Sequence, residues 1–243
     1  MKISAITREI AGLDQNLYVH NEGDWSGPLD ETNNDFTSFN DAGLECETGE
    51  FLYSMVRLLK PEFVLETGTH WGVGASYMGI GLRDNGFGHL DTIEFLPENH
   101  AKASQRIERL GLSKIVTCHF GGVANFKVPE DWRGSNETAQ LAGLPQPKIK
   151  YKLILLDTEP QTRFAELLKF YDALEEGGFV FIHDLHRHMH QIPNEDHGFA
   201  WPYGVLPEEI KDLVKTDRLR PFHFSTPRGL TGFYKVSQND YKW

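Results

Sequence analysis

The sequence predicts a doubly wound α/β fold, built on a mostly parallel, seven-stranded sheet that closes with an antiparallel C-terminal strand. Three observations predict it. Short apolar runs, FVLETG (63–68), KLILLD (152–157) and FVFIHD (179–184), are bounded by Gly, Pro or charged residues, as strands covered on both faces are. Segments with helical spacing separate them, which implies parallel strands with right-handed crossovers. Two closing runs, PFHFST (221–226) and LTGFYKV (230–236), are joined only by Pro227, Arg228 and Gly229, a hairpin signal.

Each element follows in chain order. Residues 1–45 are rich in Asn, Asp, Gly and Thr, carry Tyr18, Trp25, Phe36 and Phe39, and show no sustained periodicity; they read as an arm or lid on a main domain spanning 46–243. From Thr48, which offers a cap, Phe51, Leu52, Met55, Val56, Leu58 and Leu59 recur at helical spacing until Pro61 stops the run. The strand 63–68 follows, then a Gly-rich turn, a helix over 74–83 and the strand HLDTIEF (89–95). The next helix, 97–110, has Pro near its first turn and Gly111 at its end. KIVTCHF (114–120) is a third strand. Residues 121–150 are polar, broken by Pro129, Pro145 and Pro147, and longer than an ordinary α/β connection, so they read as an insertion. The strand 152–157, a helix over 162–176 ended by Gly177 and Gly178, the strand 179–184 and the hairpin complete the chain.

With 243 residues, 40% hydrophobic and 24% charged, there is material for one sizeable core, which excludes a disordered, collagenous or disulfide-dense chain. The net charge of −11 repels a phosphate backbone, so no nucleic-acid partner is expected. Only Cys46 and Cys118 are present, and the start MKISAITREIAGLDQN lacks the basic and apolar stretches of a secretory signal, so a soluble, cytoplasmic protein is expected. No window approaches the roughly 20 apolar residues of a spanning helix, and no membrane partner is expected. Homo-oligomerisation is left open.

In an open parallel sheet, ligands bind beyond the carboxyl ends of the strands. The first such end reads Glu66, Thr67, Gly68, Thr69, His70, Trp71, Gly72, Val73, Gly74, Ala75, Ser76. Glycines there let the backbone approach a ligand closely, and the following helix offers unpaired N–H groups. A nucleotide-like ligand is implied, although three residues separate Gly68 from Gly72, which is not the GxGxxG spacing of a dinucleotide fold. Glu94 ends the second strand, 28 positions after Glu66, where a carboxylate accepts hydrogen bonds from both ribose hydroxyls. The loop from Glu66 to Ser76 has no Lys or Arg, which suits a ligand without phosphates.

These residues resemble the class I S-adenosylmethionine-dependent methyltransferases, and within them the small-molecule O-methyltransferases of catechol and macrolide-sugar type. The likeness covers about residues 48–236. VLETGTHWGVGAS is similar to the family's first motif, DTIEF to its second, LILLDTEP and LEEGGFVFIHDLH to its fourth and fifth, and RGLTGFYKV to its antiparallel last strand. The resemblance implies a Rossmann-like methyltransferase fold with S-adenosylmethionine as cofactor and methyl transfer to an acceptor, most simply an oxygen of a sugar, phenol or other small molecule. It places Glu66 and Gly68 at the cofactor's amino acid end, Gly72 and Ser76 along its methionine and sugar region, and Glu94 at its ribose; Thr67, Thr69, Trp71, Phe95 and Asp157 are further expected cofactor contacts.

The reaction centre is expected at the fourth and fifth strand ends. Asp157 closes the fourth, Glu159 follows, and His183 and Asp184 close the fifth, with His186, His188, His190 and His197 beyond; five of the 11 histidines lie within 183–197. The metal-dependent branch of the resembled family uses an Asp after the fourth strand and an Asp-Asn pair after the fifth. Asp157 and Asp184 match, but Leu185 replaces the Asn, so a divalent ion on Asp157, Asp184 and His186 would mix imidazole with carboxylate and favour Mn²⁺, Fe²⁺, Ni²⁺ or Zn²⁺ over Mg²⁺. Without a metal, His183 or His186 is the general base, alongside Asp157. Both versions stay open. So do plainer roles: Asp157 as a helix cap, Trp71 as core filling, His188 and His190 as loop residues, Trp201 and Tyr203 as lid or surface. The alternatives to a methyltransferase are an NAD-dependent oxidoreductase and a cofactor-binding domain without catalysis.

Overall fold

A computed structural model of the chain describes residues 4–12, 17–20, 36–39, 43–129, 149–185, 206–224, 226, 228–237 and 240. The strands are β1 (Tyr18–His20), β2 (Phe36–Ser38), β3 (Phe63–Thr67), β4 (His89–Glu94), β5 (Val116–Phe120), β6 (Tyr151–Leu156), β7 (Leu174–His183), β8 (Leu219–Phe224) and β9 (Leu230–Lys235). The helices are α1 (Ala5–Ala11), α2 (Cys46–Leu59), α3 (Val73–Asn85), α4 (Pro97–Arg109), α5 (Arg163–Phe170) and α6 (Glu208–Lys215).

Seven strands form one sheet in the order β5-β4-β3-β6-β7-β9-β8. β3 to β7 are parallel; β9 runs antiparallel to both β7 and β8. Strand order reverses between β3 and β6, so the switch point of the sheet lies there. The register Ile93, Thr67, Leu156, Ile182 aligns the carboxyl ends of four neighbouring strands. Bonds from the Gly68 N–H to the Ile93 carbonyl (3.0 Å) and from the Asp157 N–H to the Thr67 carbonyl (3.0 Å) carry the ladder one step past those ends.

Because both faces are covered at the centre of the sheet, β3 and β6 are largely apolar and buried, whereas the edge strands β5 and β8 are more polar and partly exposed. Leu52 and Val56 of α2 and Ile80 and Leu82 of α3 pack on Val64, Leu90, Leu153 and Leu155 on one face. Leu167 and Phe170 of α5 and Ile210 of α6 pack on Leu65, Ile93, Ile154 and Leu156 on the other. Fully burying each such side chain contributes about 1.5–3 kcal/mol, which holds the strand ends in place.

Several expectations are corrected. The helix expected over 162–176 ends at Phe170; a 3₁₀ turn (Tyr171–Ala173) follows, and Leu174 already begins β7, paired with Tyr151. Leu174 is buried against the sheet, and Gly177, at φ 71°, sits within the strand where its register shifts, instead of ending a helix. The helix expected from Thr48 starts at Cys46 with Glu45 as its cap residue, and Thr48 is buried. Helix α6 was not anticipated. The arm is partly built into the core: Ser4 Oγ caps α1 by accepting from the Thr7 N–H, Ile10 is fully buried, and the Thr7 and Tyr77 hydroxyls lie 2.7 Å apart. The segment 130–148 of the insertion lies outside the described residues. Among those described, no helix is long and apolar enough to cross a membrane.

Candidate active site

At the switch point a cavity of about 730 Å³ opens over the strand ends, within the size range of small-ligand sites. One wall is the turn from β3 to α3. Gly68 (φ 78°) passes so close to Asp157 that a Cβ would fall on its carbonyl oxygen, and Gly72 (φ 79°) caps α3 in a left-handed conformation. His70, also left-handed at φ 49°, points its N–H at Glu94 Oε2 (2.7 Å), while the Leu96 N–H donates to Glu94 Oε1 (2.8 Å). One carboxylate thus ties the turn to the end of β4 and keeps lone pairs for a ligand.

Glu66 lies deeper in the same wall. Its carboxyl accepts from Thr92 Oγ1 (2.5 Å) and from the Ala75 N–H at the start of α3, and a Cβ on Gly74 would collide with it. Burial, with the Asp157 and Glu94 charges adding to it against the Thr92 hydrogen bond, raises its pKa to about 8. Thr69 joins this set through Thr92 (2.5 Å). Trp71 lines the cavity, stacked on His70 with the Lys102 ammonium 4.2 Å from its ring. Phe95 lines it and is exposed. Thr67, Gly72 and Ser76 do not line the cavity. Thr67 Oγ1 donates to Glu166 Oε2 (2.7 Å), and Ser76 Oγ donates back to the Gly72 carbonyl (2.6 Å), so both serve the turn.

The opposite wall holds Asp157 and Asp184. His183 sits behind them, 1% exposed, with Nδ1 2.9 Å from Asp157 Oδ1 and Nε2 2.5 Å from Glu45 Oε2. With both ring nitrogens facing carboxylates the ring is an imidazolium. Burial works against that charge, but Asp157, Asp184 and Glu45 overcome it and raise the pKa to about 10. This corrects the general-base expectation for His183: it holds its proton and does not border the cavity. Asp157 is no helix cap either; its carboxylate faces His183 and Arg163. His186 lies outside the described residues.

Three partners escaped sequence reasoning. Arg228, from the hairpin turn, sets Nη2 2.9 Å from Asp184 Oδ2 and Nε 2.8 Å from Oδ1, and donates to the Gly43 carbonyl (2.6 Å). Arg163 places Nη2 3.4 Å from both Asp157 Oδ1 and Asp184 Oδ2, and donates to the Thr158 and His183 carbonyls. Burial opposes ionisation of Asp184, yet His183 and the two guanidinium groups hold it down at about 2. The same imidazolium lowers Glu45 against its burial. A signal for Arg163 existed: it begins a helix, where the macrodipole disfavours a cation unless a carboxylate is at hand. Glu45 and Arg228 lie 138 and 44 residues from the groups they pair with and left none.

Asp157, His183 and Asp184 bring ligand atoms within 4.8 Å of one another, a spacing compatible with a divalent ion. Among the described residues the charges do not fit one. Glu45, Asp157 and Asp184 are there matched by His183, Arg163 and Arg228, and the guanidinium groups approach the oxygens an ion would take.

A profile of the family described as "Methyltransferase domain" matches residues 65–185. Among solved structures, the chain is similar to the O-methyltransferase TomG of Streptomyces achromogenes, involved in tomaymycin synthesis and solved with S-adenosylmethionine. The identity is 16% and the TM-score 0.62, covering 81% of this chain and 83% of that one. It is similar also to the S-adenosylhomocysteine-bound methyltransferase PaMTH1 of Podospora anserina (17%, TM-score 0.60, covering 81% of each chain). A caffeoyl-CoA O-methyltransferase of Staphylococcus aureus, so described provisionally, matches at 15% and TM-score 0.58, covering 96% of this chain and 92% of that one. No curated protein matches the sequence.

Proposed function

We propose, from the premise that this chain belongs to the methyltransferase-domain family through residues 65–185, that it transfers a methyl group from S-adenosylmethionine to a hydroxyl oxygen of a small acceptor. The observation that carries the reading is the Glu94 carboxylate, anchored by the His70 and Leu96 N–H groups at the switch-point cavity, beside a turn with no Lys or Arg. That wall suits a ribose and an amino acid end, and its turn brings no cationic side chain to a pyrophosphate.

When bound, the cofactor supplies an electrophilic sulfonium methyl. This chain's residues then have to align the acceptor oxygen and manage its proton. Glu94 would hold the sugar hydroxyls and Glu66 would meet the ammonium, with Phe95 beside the nucleoside; all three line the cavity. Asp157, the most open member of the acidic cluster with 19% of its side chain exposed, accepts the hydrogen bond of the acceptor hydroxyl. Arg163 and Arg228 border the same end of the cavity, where their charge favours the developing oxyanion. Carboxylates matched by cations there suit a neutral hydroxyl acceptor such as a polyol, sugar or phenol.

The acidic chain is read as a cytoplasmic enzyme acting on small molecules, with no nucleic acid or membrane as partner. Gly43 and Leu44 of the arm and Gly121, Gly122, Val123 and Ala124 of the insertion line the cavity and are read as shaping it. The test is thermal shift with S-adenosylhomocysteine and with NAD, followed by labelled methyl transfer to a panel of hydroxyl acceptors. Stabilisation by S-adenosylhomocysteine alone is expected; stabilisation by NAD alone would end this reading.

A further inference from the structure

We propose that Arg228, together with Arg163 and His183, takes the cation's place on the Asp157 and Asp184 pair, so that the enzyme positions its acceptor with fixed side-chain charges and takes no divalent ion. The inference deepens the reading above, because it concerns the acceptor end of the same cavity.

The geometry points to a replacement. Two carboxylates at the ends of adjacent parallel strands, with an imidazole between them, form a donor set that would ordinarily gather a metal. Here the hairpin between β8 and β9 delivers a guanidinium to that spot. Arg228 meets both oxygens of Asp184, and Arg163 comes equally near Asp157 and Asp184, as a bridging ion would. Both arginines are almost fully buried, so their charge is not relaxed by water. Asp184 itself lies at φ 52°, a left-handed conformation, and its Oδ2 accepts from Arg228 Nη2 (2.9 Å). Arg228 also bonds the Gly43 carbonyl, two residues before Glu45, so one side chain sets the charge of the acidic pair and fixes the segment that carries the His183 partner. A dication added to this set would lie against two guanidinium groups and leave the cluster with excess positive charge. Arg228 acts through Asp184 and Asp157 and is therefore a positioning residue.

The probe is Mn²⁺ itself, titrated into chelator-treated, dialysed full-length protein, with free Mn²⁺ read by electron paramagnetic resonance. The wild type is expected to show no stoichiometric site. Arg228→Met, which keeps bulk but removes the charge, is expected to bind Mn²⁺ about tenfold more tightly than wild type. Arg228→Lys, which restores the charge, is expected to return affinity toward the wild-type level, a pattern that a purely packing role would not produce. A stoichiometric Mn²⁺ site in the wild type that Asp184→Asn abolishes would overturn the proposal, and this arm needs no destabilised variant. So would a folded Arg228→Met protein that binds Mn²⁺ no better than wild type. Binding of S-adenosylhomocysteine, measured in parallel, is independent of these outcomes: its loss in the wild type would sink the cofactor reading and leave the Mn²⁺ result to judge the charge replacement.

Discussion

Gly68 and Glu94 are the two positions where a single atom decides whether the cavity wall exists. At Gly68 a positive φ coincides with the Asp157 carbonyl lying where a Cβ would be, so Gly68→Ala has to shift the turn or the end of β6. We expect a loss of about 2 kcal/mol or more in urea unfolding, from left-handed strain and overpacking together. S-adenosylhomocysteine binding should weaken with it, because the same turn presents the His70 N–H; a variant with wild-type unfolding and binding would show that the turn tolerates the methyl. Glu94→Gln tests the wall without changing its volume. An amide cannot accept two backbone N–H bonds and a ribose with the strength of a carboxylate, so affinity for S-adenosylhomocysteine in calorimetry should fall about tenfold or more. Unchanged affinity would take Glu94 out of cofactor binding.

The elements between β6 and β7 show how a short connection holds the Asp157 side chain at the cavity. Glu166, in the first turn of α5, accepts from the hydroxyls of Thr67 (2.7 Å), Thr158 (2.7 Å) and Thr162 (3.0 Å), so one buried carboxylate pins the end of β3 and the turn that leaves Asp157. Glu166→Ala removes the acceptor of the Thr67 hydroxyl, while Thr158 and Thr162 keep each other and Thr162 keeps the Glu159 carbonyl, and we expect a cost of about 1–3 kcal/mol in chemical denaturation. If Asp157 meets the acceptor as proposed, labelled methyl transfer should fall more than S-adenosylhomocysteine affinity; equal losses would mean that the turn serves the cofactor instead. Elements of this kind were unequally legible in the sequence. β3, β4 and β6 are apolar runs that burial on both faces requires, and Gly68, Gly72 and Glu94 stand at their ends, so those were readable from local pattern. Leu174 to Gly178 resembles a helix end in composition, and only its pairing with Tyr151 makes it strand, a tertiary effect that local pattern does not carry. His183 looked like a base because sequence shows an imidazole but not the carboxylate of Glu45 on its far side. Ser76 looked like a ligand contact because its helix was right, but its rotation about the axis turns the hydroxyl back to Gly72.

Across the whole molecule the buried charges set opposite edges to stability. Asp184, with an ordinary value of 3.8, is held at about 2, so its contribution is present above 3.8 and lost as pH falls toward 2. Glu66 runs the other way. Its folded pKa of about 8 exceeds the ordinary 4.5, so the folded state is favoured in full below 4.5 and loses that advantage as pH rises through 8. His183, raised from 6.5 to about 10, likewise contributes fully below 6.5 and loses its share as pH climbs through 10. The net charge of −11 adds a general self-repulsion that grows on the alkaline side and would blur either step in a single profile. The difference between two profiles removes it. Glu66→Gln keeps the shape and abolishes one titration, so its thermal midpoint should decline less than the wild type's between pH 4.5 and 8, while the later decline toward pH 10 should persist in both. Because an ammonium beside Glu66 favours its ionised form, S-adenosylhomocysteine should bind the wild type more tightly at pH 8 than at pH 6, and Glu66→Gln should lose that dependence. Parallel wild-type and variant profiles between pH 4.5 and 8 would mean that Glu66 is already ionised in the free protein, and the carboxyl would then meet the cofactor as a preformed charge.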